Sequence, residues 1–192
     1  MGILMLDTET TGLNGGPYDL VVDIAISEVD FEKMTVTPLY SAIVQYPDDE
    51  VDRRKDAWIF LNTDLTTDMV KHGTPQEIVR QEVAEILEGR YVTSYNVAFD
   101  FDKFICRDPW FRREDIRLVS DPMLAASEIF RIPYYDGTYR FVKLERAYQT
   151  LCPSDPAHIC GKQDHRALSD TIVAGHLMLQ MFCDGQYNPV VI

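Results

Sequence analysis

A chain of 192 residues with 46% hydrophobic and 26% charged side chains can fill one core, so a single domain over 1–192 is expected, with no apolar run of about 20 residues to cross a membrane. The formal net charge of −13, from 18 Lys+Arg against 31 Asp+Glu, argues against a long grip on nucleic-acid phosphates. It leaves room for an enzyme that touches a few nucleotides through metals, because two divalent ions cancel about four negative charges. Cys106, Cys152, Cys160 and Cys183 have no Cys-x-x-Cys spacing and read as free thiols. With no basic-then-apolar leader, a cytoplasmic location is expected.

In chain order, Ile3 to Leu6 reads as a short buried strand, Asp19 to Phe31 as a second and Thr35 to Tyr46 as a third, with turns at "NGGP" and "EKM". Short connections between three strands predict an antiparallel meander. The segment 47–73 carries no clear period. "TPQEIVRQEVAEIL" predicts a helix with Thr74 as N-cap, Pro75 in the first turn and Glu77 closing a capping box. Tyr91 to Tyr95 reads as a fourth strand and Arg117 to Ser120 as a fifth. Helices fit Val97 to Cys106, Pro122 to Phe130, Val142 to Leu151 and Ala167 to Phe182. In the last helix Leu168, Ile172, Gly175, Leu179 and Phe182 form one apolar row, widened by Ala167, Thr171, Ala174, Met178 and Met181, with Asp170 at its edge. A meander followed by helix-strand alternation predicts an α/β architecture, a mixed sheet flanked by helices.

Three stretches carry candidate chemistry. Asp7 and Glu9 stand two apart where the first strand ends, so their carboxylates face one side. Carboxylates at that spacing suit a magnesium or manganese ion, and they equally suit the start of a turn before Gly12. "YNVAFDFDKF", 95–104, leaves a strand for a helix and offers Asn96 and Asp100, with Asp102 as a rival acid. "HRALSD", 165–170, places His165 in a loop and Asp170 in the first turn of the last helix, where an acid also suits the helix dipole.

Taken together, Asp7-x-Glu9, Asn96-x-x-Phe99-Asp100 and His165 five residues before Asp170 resemble the DEDD exonucleases of the histidine subgroup, which include proofreading exonucleases, ribonuclease T and oligoribonuclease. The tyrosine subgroup would place a tyrosine where Arg166 stands. The resemblance implies a ribonuclease-H-like fold, five strands with the first three antiparallel. It implies 3′-to-5′ release of nucleoside monophosphates with two Mg²⁺ or Mn²⁺ ions held by Asp7, Glu9, Asp100 and Asp170. His165 would take the proton of the attacking water, a task for which imidazole is the commonest side chain. Thr10, Thr11, Gly12 and Leu13 would hold the terminal nucleotide, and Asn96 would orient the second motif.

The expected substrate is a nucleic-acid 3′ end, single-stranded DNA ahead of RNA, with a polymerase or repair partner for processivity, no membrane, and a homodimer open. His72 in "KHGT" and the interleaved basic and aromatic residues of "RIPYYDGTYRF", 131–141, fit either substrate contact or plain surface. Two rival readings are a haloacid-dehalogenase-like phosphatase, from Asp7-x-Glu9-x-Thr11, and a binding module without chemistry. The first conflicts with the meander, since that family starts with parallel strand-helix alternation. The second conflicts with the joint presence of four acids and the histidine.

Overall fold

In the computed structural model, which describes residues 2–157 and 165–192, the chain opens with three antiparallel strands: β1 (Ile3–Thr10), β2 (Val21–Asp30) and β3 (Thr35–Gln45). Three short strands follow, β4 (Thr74–Pro75), β5 (Tyr91–Thr93) and β6 (Arg117–Leu118). The sheet has six strands in the order β4-β3-β2-β1-β5-β6, with β4 parallel to β3, β5 to β1 and β6 to β5. This is the expected mixed sheet with one strand more than expected. The meander also removes the parallel start that a dehalogenase-like phosphatase requires.

The extra strand corrects the expected capping box. Thr74 pairs with Val44 and Pro75 with Gln45, so helix α4 (Gln76–Leu87) begins later, after Pro75 and without a side-chain cap. Gly73 explains the capture: a Cβ there would stand 2.5 Å from the Ile43 carbonyl oxygen, so glycine lets the chain lie against β3. Between β3 and β4 run α1 (Asp48–Asp52), α2 (Trp58–Asn62) and α3 (Thr67–Lys71). They pack Val51, Ile59 and Val70 onto Leu20, Val22 and Leu65.

After β5 comes a π-helical segment, Ala98–Ile105, then α5 (Pro122–Phe130), α6 (Leu144–Leu151) and α7 (Ala167–Cys183). Asp121 caps α5, its carboxylate accepting from the Met123 N–H at 2.7 Å, with Pro122 in the first turn. The two-residue period of β1 splits the core. Ile3 and Met5 pack with Val173, Ala174, Leu177 and Met178 of α7, while Leu4 and Leu6 pack with Val79, Val83, Phe101 and Phe104 on the other face. Asp7 and Glu9 therefore continue the α7 side of the strand, and Thr8 the π-helix side.

The buried face of α7 differs from the expected row. Ala167, Thr171, Ala174, Gly175, Met178, Leu179 and Met181 are buried as expected, but Leu168 and Ile172 are only half-buried and Phe182 is exposed, while Asp170, Val173 and Leu177 join the buried face. The helix is covered by the sheet on one side and by α6 on the other, so its apolar surface is broad and Asp170 falls inside it rather than at its edge. Cys106, Cys152 and Cys183 are free thiols as expected; Cys160 lies outside the described residues. Among the described residues no helix is long and apolar enough to cross a membrane.

Candidate active site

The end of β1 gathers acids from both faces of the sheet. On the α7 side, one carboxylate oxygen of Glu9, one of Asp170 and a ring nitrogen of His165 lie within 4.8 Å of one another. Asp170 is buried, Glu9 and His165 half-buried. His165 sits just before α7 with a left-handed φ of 53°, and its ring meets the edge of Trp58 from α2 at 5.1 Å between centroids. The loop position is as expected; the partial burial and the Trp58 contact are not those of a plain surface histidine.

Asp100 arrives from the other face. The π-helical segment begins a short turn after β5, and the Asn96 carbonyl in that turn receives the N–H groups of Phe99 at 2.8 Å and Asp100 at 3.2 Å. Asn96 itself has a φ of 104°, held because its own N–H and that of Val97 donate to the Asp121 carboxylate at 3.3 and 2.8 Å. The Asp100 Oδ1 then accepts from the Thr8 N–H at 3.1 Å and the Thr8 hydroxyl at 2.7 Å. Asp100 is 2% exposed and faces Thr8 of β1, while its rival Asp102 is exposed. Phe101 and Phe104 are core, and Phe99 is half-buried.

Electrostatics bind the set together. Burial pushes the Asp7 carboxyl well up, and the charges of Asp100, Asp170, Glu9 and Asp23 push it further. Burial, then Asp170, Asp23 and Asp100, raise Glu9 to about 9, with the Arg166 charge opposing. Burial raises Asp100 to about 7 against the pull of the Thr8 hydrogen bonds. Carboxyls so perturbed, converging in one place, mark a candidate functional site, and a cation placed among them would favour their charged forms.

The expected nucleotide-holding residues are less uniform. Thr11 is buried and committed inward, its hydroxyl accepting from the Leu20 N–H at 2.9 Å. The Thr10 hydroxyl donates to the Gly12 carbonyl at 2.8 Å, and a Cβ on Gly12 would stand 2.5 Å from the Asp19 carboxylate. Leu13 is 72% exposed, with its carbonyl held by the Lys103 ammonium at 2.9 Å, so it projects freely beside the acids' strand. His72 is exposed and turned to the Asp68 carbonyl at 2.9 Å. In 131–141, Pro133 bridges to Tyr139 and the Arg140 guanidinium lies over the Tyr134 ring at 5.4 Å.

Sequence reasoning missed Thr8, Asp23, Trp58 and Arg166. An acid in the apolar run "VVDIAI" was a signal for Asp23, since buried charges need a partner. In the sequence Arg166 registers only as the absence of a tyrosine.

The exonuclease (RNase_T) family model matches residues 4–178. The chain is 28% identical over 182 residues to the 3′-5′ exonuclease DinG of Bacillus subtilis (strain 168), covering 93% of this chain and 17% of that protein. It thus spans about a sixth of the curated relative it matches. Its structure is similar to the nuclease domain of 3′hExo, a DEDDh family member bound to rAMP, with a TM-score of 0.69, 14% identity and coverage of 98% and 96% of the two chains. It is also similar to E. coli Exonuclease I in complex with a dA16 oligonucleotide, with a TM-score of 0.64, 16% identity and coverage of 95% and 41%.

Proposed function

This chain belongs to the exonuclease family, and from that premise we propose that it is a metal-dependent 3′-to-5′ exonuclease acting on single-stranded ends, DNA first. The carrying observation is the convergence of Glu9, His165 and Asp170 within 4.8 Å, beside Asp7 and the tethered Asp100. The carboxylate oxygens of Glu9 and Asp170 are hard donors of the kind a small divalent cation takes, and the imidazole nitrogen within 4.8 Å of them is placed to meet a water beside such an ion. Raised carboxyls sharing one place supply the attraction.

Asp7, Glu9 and Asp170 would hold one ion, and Asp7 with Asp100 a second; bound there, the ions would supply activation of the attacking water and stabilisation of the departing oxygen. His165 takes the proton of the attacking water as its oxygen bonds to phosphorus and the bond to the 3′ oxygen breaks. Trp58 limits where the imidazole can lie. Leu13, exposed at the strand's end, is available to wedge against the terminal base, and the Thr10–Gly12 turn offers backbone groups to its sugar and phosphate.

The net charge of −13 disfavours a long duplex and favours short single-stranded ends. The similarity to E. coli Exonuclease I in complex with a dA16 oligonucleotide supports DNA. An RNA reading has its own support in the similarity to 3′hExo bound to rAMP. Discrimination between them rests on contacts to the 2′-hydroxyl. A polymerase or repair partner would supply processivity. The test is a parallel digest of 3′-labelled single-stranded DNA, duplex DNA and RNA with Mg²⁺ or Mn²⁺ at fixed salt. Labelled mononucleotide is expected fastest from single-stranded DNA; no release from any substrate refutes the enzyme, and faster release from RNA reverses the preference.

A further inference from the structure

Asp23 and Arg166 have no task in the chemistry above, yet they sit inside it. Asp23 lies on β2 directly across from Glu9 and is 1% exposed. Its Oδ2 accepts from the Arg166 Nε at 2.8 Å and from the Ala167 N–H, the first residue of α7, at 3.4 Å. Its Oδ1 is buried with no hydrogen-bond partner among the described residues. Arg166 is the residue between His165 and α7, and its Nη1 also reaches the Asp64 carboxylate, between α2 and α3, at 3.4 Å.

A guanidinium cannot shed its charge, so next to several carboxylates it does part of what a metal ion does. On Glu9 the Arg166 charge already opposes the neighbouring acids. Left loose, it would swing onto them and compete with cations. Bound to Asp23 it is neutralised in place, and Asp7, Glu9, Asp100 and Asp170 are left open to divalent ions. The same bond fixes the backbone that carries His165.

We propose that Asp23 and Arg166 form a positioning pair: Asp23 holds the guanidinium off the metal-binding carboxylates, and the guanidinium so held fixes His165 at the start of α7. The inference rests on the nuclease reading and deepens it, adding how the site stays open to cations.

The experiment is calorimetric titration of the whole chain with Mn²⁺, paired with kcat and KM on a 3′-labelled single-stranded DNA oligomer. Asp23→Asn should weaken Mn²⁺ binding by about 10–100-fold, the usual effect of losing a group that orients a metal site. Arg166→Gln should keep Mn²⁺ affinity or tighten it, while kcat falls and KM holds. The double variant should recover most of the Mn²⁺ affinity lost in Asp23→Asn without recovering kcat. A purely structural pair would leave the double variant no better than Asp23→Asn, and that result overturns the proposal, as does native Mn²⁺ affinity in Asp23→Asn. If Asp23→Asn does not fold, Arg166→Lys decides: retained Mn²⁺ affinity with lowered kcat supports the pair, and unchanged kcat or lost affinity overturns it. A native chain that neither takes up Mn²⁺ nor cleaves overturns the nuclease reading and this inference with it. Native uptake and cleavage beside an unaffected Asp23→Asn overturns this inference alone.

Discussion

The two helices that bring acids to the end of β1 do so by different physics. Asp100 rides a π-helical segment and is received by neutral donors, the Thr8 N–H and hydroxyl, with its backbone anchored through Asn96 to Asp121. Asp170 rides α7, whose entry is secured by charge, Arg166 against Asp23 and Asp64. Hydrogen bonds from neutral donors work in either protonation state of their surroundings. A charge-held entry responds to every ion and acid near it. The site thus joins an arm that is set in advance with one that answers to metal.

Removing acids tests this division most severely. Asp7→Ala or Asp170→Ala should reduce mononucleotide release to background. The metal-free chain should melt no lower than the native one at neutral pH, since each change removes one member of a self-repelling set. Retained turnover in either variant would refute the assignment. Next in size, His165→Ala should slow release by about 10²–10⁴-fold while Mn²⁺ affinity, read by calorimetry, changes little. Large loss of affinity would make the imidazole a ligand rather than a base.

Thr8→Val probes the preset arm. Stripping one donor from a buried carboxylate should cost about 1–3 kcal/mol in denaturant unfolding. The loss should be the same with and without Mn²⁺ if the arm forms independently of metal. The smallest effect concerns pH. Unfolded carboxyls ionise at about 4, whereas Glu9 in the fold stays protonated up to about 9 and Asp100 up to about 7. The folded chain holds more protons across that window, so metal-free stability falls as pH rises through it. Cations need the ionised acids, so the melting-temperature gain on adding Mn²⁺ should be greater at about pH 8 than at about pH 5. An equal gain at both would show that the acids are not the ions' seat.

Much of this was legible in residues that report a local rule. The helix expected over Pro122 to Phe130 is α5 with those bounds, and the structure shows why so local a stretch suffices: Asp121 and Pro122 set its start within one turn. Asp7, Glu9, Asp100, His165 and Asp170 were readable as a joint pattern, and the fold brings them into electrostatic reach. What depended on partners far along the chain was not readable. Thr74 had every local mark of a cap, yet Val44 across the sheet claimed it. Three helices of five residues in 47–73 complete too few turns to show a period, so Trp58 could not be seen beside His165. Asp23 and Arg166 are 143 positions apart, and each explains the other only once they meet.

One glycine ties distant packing to this chemistry. At Gly175 a Cβ would come within 2.9 Å of Val36 on β3, so α7 rests its backbone almost directly on the sheet. Any bulk inserted there would act as a wedge, tilting the helix as a rigid rod. Asp170, five residues or about 7.5 Å along the same axis, would lift with it. The intimacy of that contact is therefore a ruler: it sets how far apart the acids of β1 and α7 can stand, from a point that touches none of them.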